Sequence, residues 1–383
     1  MDLNEFDDIR PYTDSELNGI LNKLLSDPSF IAFANNTLGQ TTMQQLTANK
    51  DRLNSIQMFQ AVAVNPFLDK ILLKLAESFT SDGVRQSLAD NGCLYMSNHR
   101  DIVVDVALLD KILLDHGYPT VEIGIGDNLL IYPWIKDLVR INRAFIVRRG
   151  ETGKELLMQS RHLSEYIHFT ICRNHHSVWI AQREGRAKDS NDRTQESVLK
   201  MLAMGSEKPF LESLRELNIH PLTISYEYDP CDYLKAKEFQ QKRDNPEFKK
   251  SQADDLINMK TGIMGYKGKI HYHCAESINS QIDRIAQLSG NRNVQASLLA
   301  QTIDKQIHAN YSIYPINYIA LDMLNKSNQF ADKYSRQEYL NFAGYIEQQI
   351  DKIDLPDKDT DCLQDYMLKI YANPLINHLA AIK

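Results

Sequence analysis

The chain is short of several things at once. No run approaches the ~20 consecutive apolar residues of a membrane-spanning helix, and mean hydropathy is −0.40. Cysteine is sparse and scattered: Cys93, Cys172, Cys231, Cys274 and Cys362, with no Cys-x-x-Cys pair. An odd, dispersed set predicts free thiols in a reducing compartment, not a disulfide framework. A cationic excess is missing too. Forty-three Lys+Arg against fifty Asp+Glu leave −7, which excludes an even basic coat for duplex nucleic acid but not a local basic patch. The opening MDLNEFDDIR is acidic and has no apolar h-region, so no secretory signal is expected. No internal repeat or low-complexity tract stands out. What remains is an ordinary globular composition, 43% hydrophobic and 24% charged over 383 residues. That length allows two or three structural units.

Residues 1–88 read as a helical region. Thr13-x-x-Glu16 has capping-box spacing, and Leu17, Ile20, Leu21, Leu24 and Leu25 follow at helical intervals. A second helix is expected near Ser55–Phe79, interrupted by Pro66. From 89 to 278 the texture changes. Short apolar runs at Cys93–Met96, Val121–Ile125, Ala144–Val147, Val178–Ala181, Leu222–Tyr226 and Lys269–Tyr272 alternate with helical stretches at Asp105–His116, Thr152–Arg173 and Thr194–Met204. Thr152-x-x-Glu155 is a further capping-box candidate. This alternation predicts an α/β unit with a mixed, largely parallel sheet flanked by helices. Lys235–Lys260 is charge-rich and reads as a solvated excursion. Residues 279–383 return to helices, one of them opening at Ser335-x-x-Glu338.

The segment Ser97-Asn98-His99-Arg100-Asp101-Ile102-Val103-Val104-Asp105 follows an apolar strand and precedes a helix. In an α/β sheet that is the carboxyl end of a strand, where sites are usually built. A carboxylate a few residues on can bond one ring nitrogen of His99 and leave the other as a general base. Asp101 and Asp105 are both in reach. The bland reading is a helix N-terminus with a solvated His and acids favoured by the helix dipole. His99-Arg100-Asp101 also opens like a kinase catalytic loop, but the required Asn position holds Val106 and no Asp-Phe-Gly follows. Gly124-Ile125-Gly126 does not complete a dinucleotide fingerprint, because the third glycine position is Leu129.

Further segments follow in order: Gly126-Asp127-Asn128-Leu129, then Ala144-Phe145-Ile146-Val147-Arg148-Arg149, Arg183-Glu184-Gly185-Arg186-Ala187-Lys188 and His220-Pro221-Leu222-Thr223. Together with the His99 segment they resemble the four sequence blocks of the glycerophospholipid acyltransferases, the glycerol-3-phosphate acyltransferases above all, over about residues 92–275. Two departures stand out. His99 and Asp105 are separated by five residues where the family has four. The usual Glu-Gly-Thr-Arg is shortened to Glu184-Gly185-Arg186.

The resemblance implies transfer of a fatty acyl group from acyl-CoA or an acyl carrier protein to a hydroxyl of glycerol 3-phosphate or a lysophospholipid, in phospholipid biosynthesis. It implies His99 as base paired with Asp105, with Asp101 as understudy. It implies Arg100, Asn128, Arg148, Arg149, Glu184, Gly185, Arg186 and Lys188 at the acceptor, with the cations on its phosphate. No cofactor or metal is implied beyond the thioester co-substrate. The expected setting is cytoplasmic, with peripheral contact on the inner membrane face, and no nucleic acid partner. Arg140 and Arg143 are expected to be solvated charges, and His175, His176, His271 and His273 incidental. The apolar run Leu129–Ile135 is expected to be a buried helix on the sheet, with an acyl channel or membrane contact as its functional alternatives. Two competing functions stand beside this one: a metal-dependent phosphoester hydrolase using His99, Asp101 and Asp105, and a lipid- or phosphate-binding relative without turnover.

Overall fold

The computed structural model describes residues 2–37, 39–85 and 91–383. Seven strands form one sheet: β1 Ala76–Asp82, β2 Leu94–Ser97, β3 Glu122–Gly126, β4 Ala144–Val147, β5 Val178–Ala181, β6 Ile219–Tyr226 and β7 Gly268–Cys274. Their spatial order is β1-β7-β6-β2-β5-β3-β4. The β6-β2-β5-β3-β4 ladders are parallel, whereas β7 runs antiparallel to β6 and β1 parallel to β7. The sheet is therefore mixed and largely parallel, flanked by helices, with helical regions at both ends of the chain. Among the described residues no helix is long and apolar enough to cross a membrane.

The central strands are apolar throughout because both sheet faces are covered. Leu94 and Met96 of β2 pack into one core with Phe145, Ile167, Val178 and Leu299, while Tyr95 joins Leu109, Trp179 and Tyr272 on the other face. The helix Val104–Asp115 seals that second face. Separate cores form among the N-terminal helices and between the helices Pro315–Asn325, Arg336–Asp351 and Thr360–Ala381.

Several expectations change. Among the described residues up to 85 the helices end at Leu75, and Ala76–Asp82 is an edge strand in a stretch read as helix. Its polar sequence buries little besides Phe79, which meets Tyr272 edge-on. The Lys235–Lys260 excursion is instead mostly helix, Asp232–Asp244 and Gln252–Met264, and buries Lys235, Glu238 and Gln240. Their polar groups find partners inside: Lys235 pairs with Asp229, and Glu238 with Lys188. The Thr13 and Ser335 capping boxes form, but the Thr152 side chain makes no cap bond. Arg140 is buried, donating to the Arg10 and Asp7 carbonyls at 2.8 and 3.1 Å with its guanidinium over Tyr12. The run Leu129–Ile135 does not form one buried helix. It turns before the helix Pro133–Ile141, buries only Ile135 and exposes Tyr132 stacked on Trp134.

Candidate active site

The parallel strands end together at Ser97, Ala181, Gly126 and Val147, and the loops that follow hold the candidate residues. Asn98 is fully buried and extends the ladder with its side chain: Nδ2 donates to the Ile224 carbonyl, and Oδ1 accepts from Ile224 N–H, both at 2.9 Å. This double bond to β6 fixes the backbone on which His99 stands. Trp179 of β5 donates Nε1–H to Ser97 Oγ at 3.0 Å and meets the His99 ring edge-on, 5.5 Å between centroids.

His99 Nδ1 lies 2.8 Å from Asp105 Oδ2. The Asp105 carboxylate is 1% exposed and the imidazole 14%. The same Oδ2 accepts the backbone N–H groups of Arg100 at 2.7 Å and Asp101 at 3.1 Å, while Oδ1 accepts the Tyr226 hydroxyl at 2.8 Å. Four donors on one buried carboxylate suit its ionised form. A carboxylate on Nδ1 assigns the ring proton there in the neutral imidazole and leaves the Nε2 lone pair free. Among the described residues Nε2 has no hydrogen-bond partner.

Asp101 does different work. Its Oδ1 accepts the N–H groups of Val103 and Val104 at 2.9 Å each, closing the first turn of the following helix. Its carboxylate also packs on Gly262, where a Cβ would collide with it. That close approach locks the helix Gln252–Met264 against the loop.

Each of the proposed cations has a partner of its own. Arg148 is exposed and pairs with Asp8 at 3.0 Å. Arg149, also exposed, donates to Glu184 at 2.6 Å, with Asn128 beside it at the end of β3. Lys188 is held by Glu238, and burial pushes its amine down to about 8 although that partner works the other way. Arg100 runs beneath the site. Its guanidinium lies 3.6 Å from Asp192 and over the Tyr311 ring, while its carbonyl accepts Lys235 Nζ at 3.2 Å. Gly185 sits at φ +67°, letting the loop turn between Glu184 and Arg186. Arg186 donates to Asn258 at 3.3 Å and keeps its buried Nη1 unpartnered.

The loop after β5 carries more than the motif indicates. Both amide atoms of Gln182, Arg183 Nε, Arg186 Nη1, Ser190 Oγ and Asp192 Oδ1 are buried without a partner among the described residues. Buried polar atoms are normally satisfied by protein, water or a ligand, so this loop holds spare hydrogen-bonding capacity that includes two guanidinium nitrogens. The C-terminal helices clamp the loop from behind. Asn373 donates to the Asp189 carbonyl and His308 to that of Asp192, both at 2.8 Å. Arg193 reaches Asn377 at 2.8 Å, and Asp304 accepts Thr194 N–H and Oγ–H at 2.7 and 2.6 Å. Burial raises the Asp192 carboxyl, with Arg100 opposing. Sequence reasoning missed Tyr226, Asp192, Lys235 and this clamp. Tyr226 closes an apolar strand, a signal available but unread; the clamp joins residues more than a hundred positions apart. Among the described residues no group of three or more His, Cys, Asp or Glu is arranged to hold a metal.

No protein-family model matches the chain. Among curated proteins its relatives are acyltransferases. Each is named glycerol-3-phosphate acyltransferase: one from Pseudomonas paraeruginosa (strain DSM 24068 / PA7), and others from Pseudomonas aeruginosa strains LESB58 and UCBPP-PA14. Identity is 23% over 293 residues, covering 72% of this chain and 34% of each relative. The chain thus spans about a third of the length of the relatives it matches.

Proposed function

We propose that the chain is an O-acyltransferase that moves a fatty acyl group from a thioester to a hydroxyl of a phosphate-bearing glycerol or lysophospholipid. The observation that carries this is the His99–Asp105 pair at the carboxyl end of β2, with Nε2 unpartnered. His99 Nε2 takes the proton of the acceptor hydroxyl as its oxygen attacks the thioester carbonyl. The tetrahedral adduct collapses, the C–S bond breaks, and the imidazolium returns the proton to the departing thiolate. General-base help of this kind contributes ~10²–10⁴-fold. Asp105 holds the ring and offsets the charge it gains. Arg183 and Arg186, the guanidinium groups with unpartnered nitrogens in the loop after β5, suit the acceptor phosphate. Acyl-CoA and an acyl carrier protein are both thioester donors of the required chemistry, and the distant glycerol-3-phosphate acyltransferases favour glycerol 3-phosphate as acceptor.

The test is thiol release from palmitoyl-CoA, or from a palmitoylated carrier protein, by purified protein. Glycerol 3-phosphate, lysophosphatidate and unphosphorylated glycerol are the acceptors. Release is expected with a phosphorylated acceptor, unaffected by EDTA and lost in His99→Ala. Full activity in that variant, or loss on chelation, overturns the proposal.

A further inference from the structure

The dyad does not end at Asp105. Tyr226 is the last residue of β6, and its hydroxyl donates to Asp105 Oδ1 at 2.8 Å. Tyr272 of β7 donates its hydroxyl to the Asp105 main-chain carbonyl at 2.9 Å. Ile224 and Tyr272 are register partners across the antiparallel β6–β7 ladder, so Tyr226 and Tyr272 are diagonal neighbours, their oxygens 3.2 Å apart. A phenol carries one proton. Each of these two is spent on Asp105, one at its side chain and one at its backbone, which holds the residue at both ends. Burial, with Asp105 next, holds the Tyr226 phenol well above its ordinary range, so the donor keeps its proton through neutral pH.

The other charged groups around this pair are already engaged. Asp101 caps the helix, Arg100 faces Asp192, and the buried Lys267 lies 6.0 Å from the Tyr226 ring with its ammonium held by the Gly262 and Gly265 carbonyls. Among the described residues Tyr226 is the one side-chain donor on Oδ1.

We infer that Tyr226 is a positioning residue for the His99–Asp105 base, drawing part of the carboxylate's charge onto Oδ1 and so setting how firmly Asp105 holds the imidazolium formed during transfer. This rests on the acyltransferase reading for its kinetic consequence only; the hydrogen-bond chain is testable without turnover.

Tyr226→Phe removes one proton donor and leaves Oδ1 buried and bare. With the charge no longer shared, Asp105 grips the imidazolium proton more tightly. The acidic limb of the pH–rate profile then moves to higher pH. A charge-assisted hydrogen bond of ordinary strength corresponds to a limb shift of about one pH unit, with plateau kcat not reduced and acceptor KM unchanged. The downfield Nδ1–H proton resonance of His99, seen by NMR in the resting protein, shifts with it.

Replacing Tyr226 with 3,5-difluorotyrosine, a stronger donor of nearly the same shape, moves both limb and resonance the opposite way and guards against a folding defect in the Phe variant. Tyr272→Phe, whose bond reaches only the backbone, lowers the melting temperature and leaves the limb in place. An unmoved limb and resonance in both Tyr226 variants overturn the inference. Activity retained in His99→Ala overturns the acyltransferase reading instead, and in that case the resonance alone decides whether Tyr226 acts on the pair.

Discussion

Asp105→Asn isolates charge from shape. Asn keeps the size of the side chain, and the need of the Arg100 and Asp101 N–H groups and of His99 Nδ1–H for an acceptor puts its amide oxygen at the Oδ2 position. Its amide then points at the Tyr226 oxygen, which turns from donor to acceptor. Each of four charge-assisted bonds weakens by about 1 kcal/mol, while the cost of burying a charge disappears. The two effects oppose, so net stability changes by no more than about 2 kcal/mol. Turnover has no such offset. In the proposed reaction His99 takes the hydroxyl proton and a positive ring forms with a charge centre about 4 Å from the carboxylate; at an effective dielectric of ~20 the lost attraction is about 4 kcal/mol. That corresponds to ~10³-fold in kcat, read by thiol release at saturating acceptor. The control is Asp101→Ala, which removes two cap bonds, costs about 1 kcal/mol of stability and slows turnover far less. An Asp105→Asn enzyme within threefold of wild type refutes Asp105 as the charge behind His99. So does an Asp101→Ala enzyme that is the more impaired of the two.

Two further outcomes follow from the C-terminal helices. Asp304→Ala strips Thr194 of both its bonds to Asp304; a loss of about 1–3 kcal/mol is expected, together with a raised acceptor KM and unchanged donor KM, and equal effects on both substrates in steady-state kinetics would refute the clamp. Asp232 is fully buried, accepts Tyr345 and Tyr371, and burial raises it to about 7. A carboxyl raised in the folded state binds its proton there while the unfolded chain has released it, so stability falls as pH climbs from near 4 to about 7. The melting temperature of Asp232→Asn is expected to gain on wild type across that window, and a difference independent of pH would contradict it.

The readable parts of this fold are those whose cause is local. Leu94–Ser97, Ala144–Val147 and Val178–Ala181 are strands because both sides of the sheet are covered, and an uninterrupted apolar run betrays that. His99 and Asp105 are six positions apart across a strand-to-helix turn, so their meeting at 2.8 Å is close to a local event. Ala76–Asp82 could not be read this way, since an edge strand with one apolar anchor has no period to show. Lys235–Lys260 failed for a different reason. Its charges look solvated until Asp229 and Lys188 supply partners from elsewhere in the chain. The cations followed suit: the basic loops were legible, but Asp8 lies 140 positions from Arg148, Glu184 35 from Arg149 and Glu238 50 from Lys188. Composition indicates where charge can be, and only packing reveals which of it is already spent.

The clamp on the loop after β5 sets an order of events during synthesis. Chains fold from the N-terminus as they emerge, and His99, Asp105 and Tyr226 can meet once β7 is out. Arg186 and its neighbours stay without their backing until Asp304, His308, Asn373 and Asn377 arrive. A nascent chain therefore brings His99 and Asp105 together well before the loop after β5 is backed, and the two parts of the candidate site become one only when the helix Thr360–Ala381 docks.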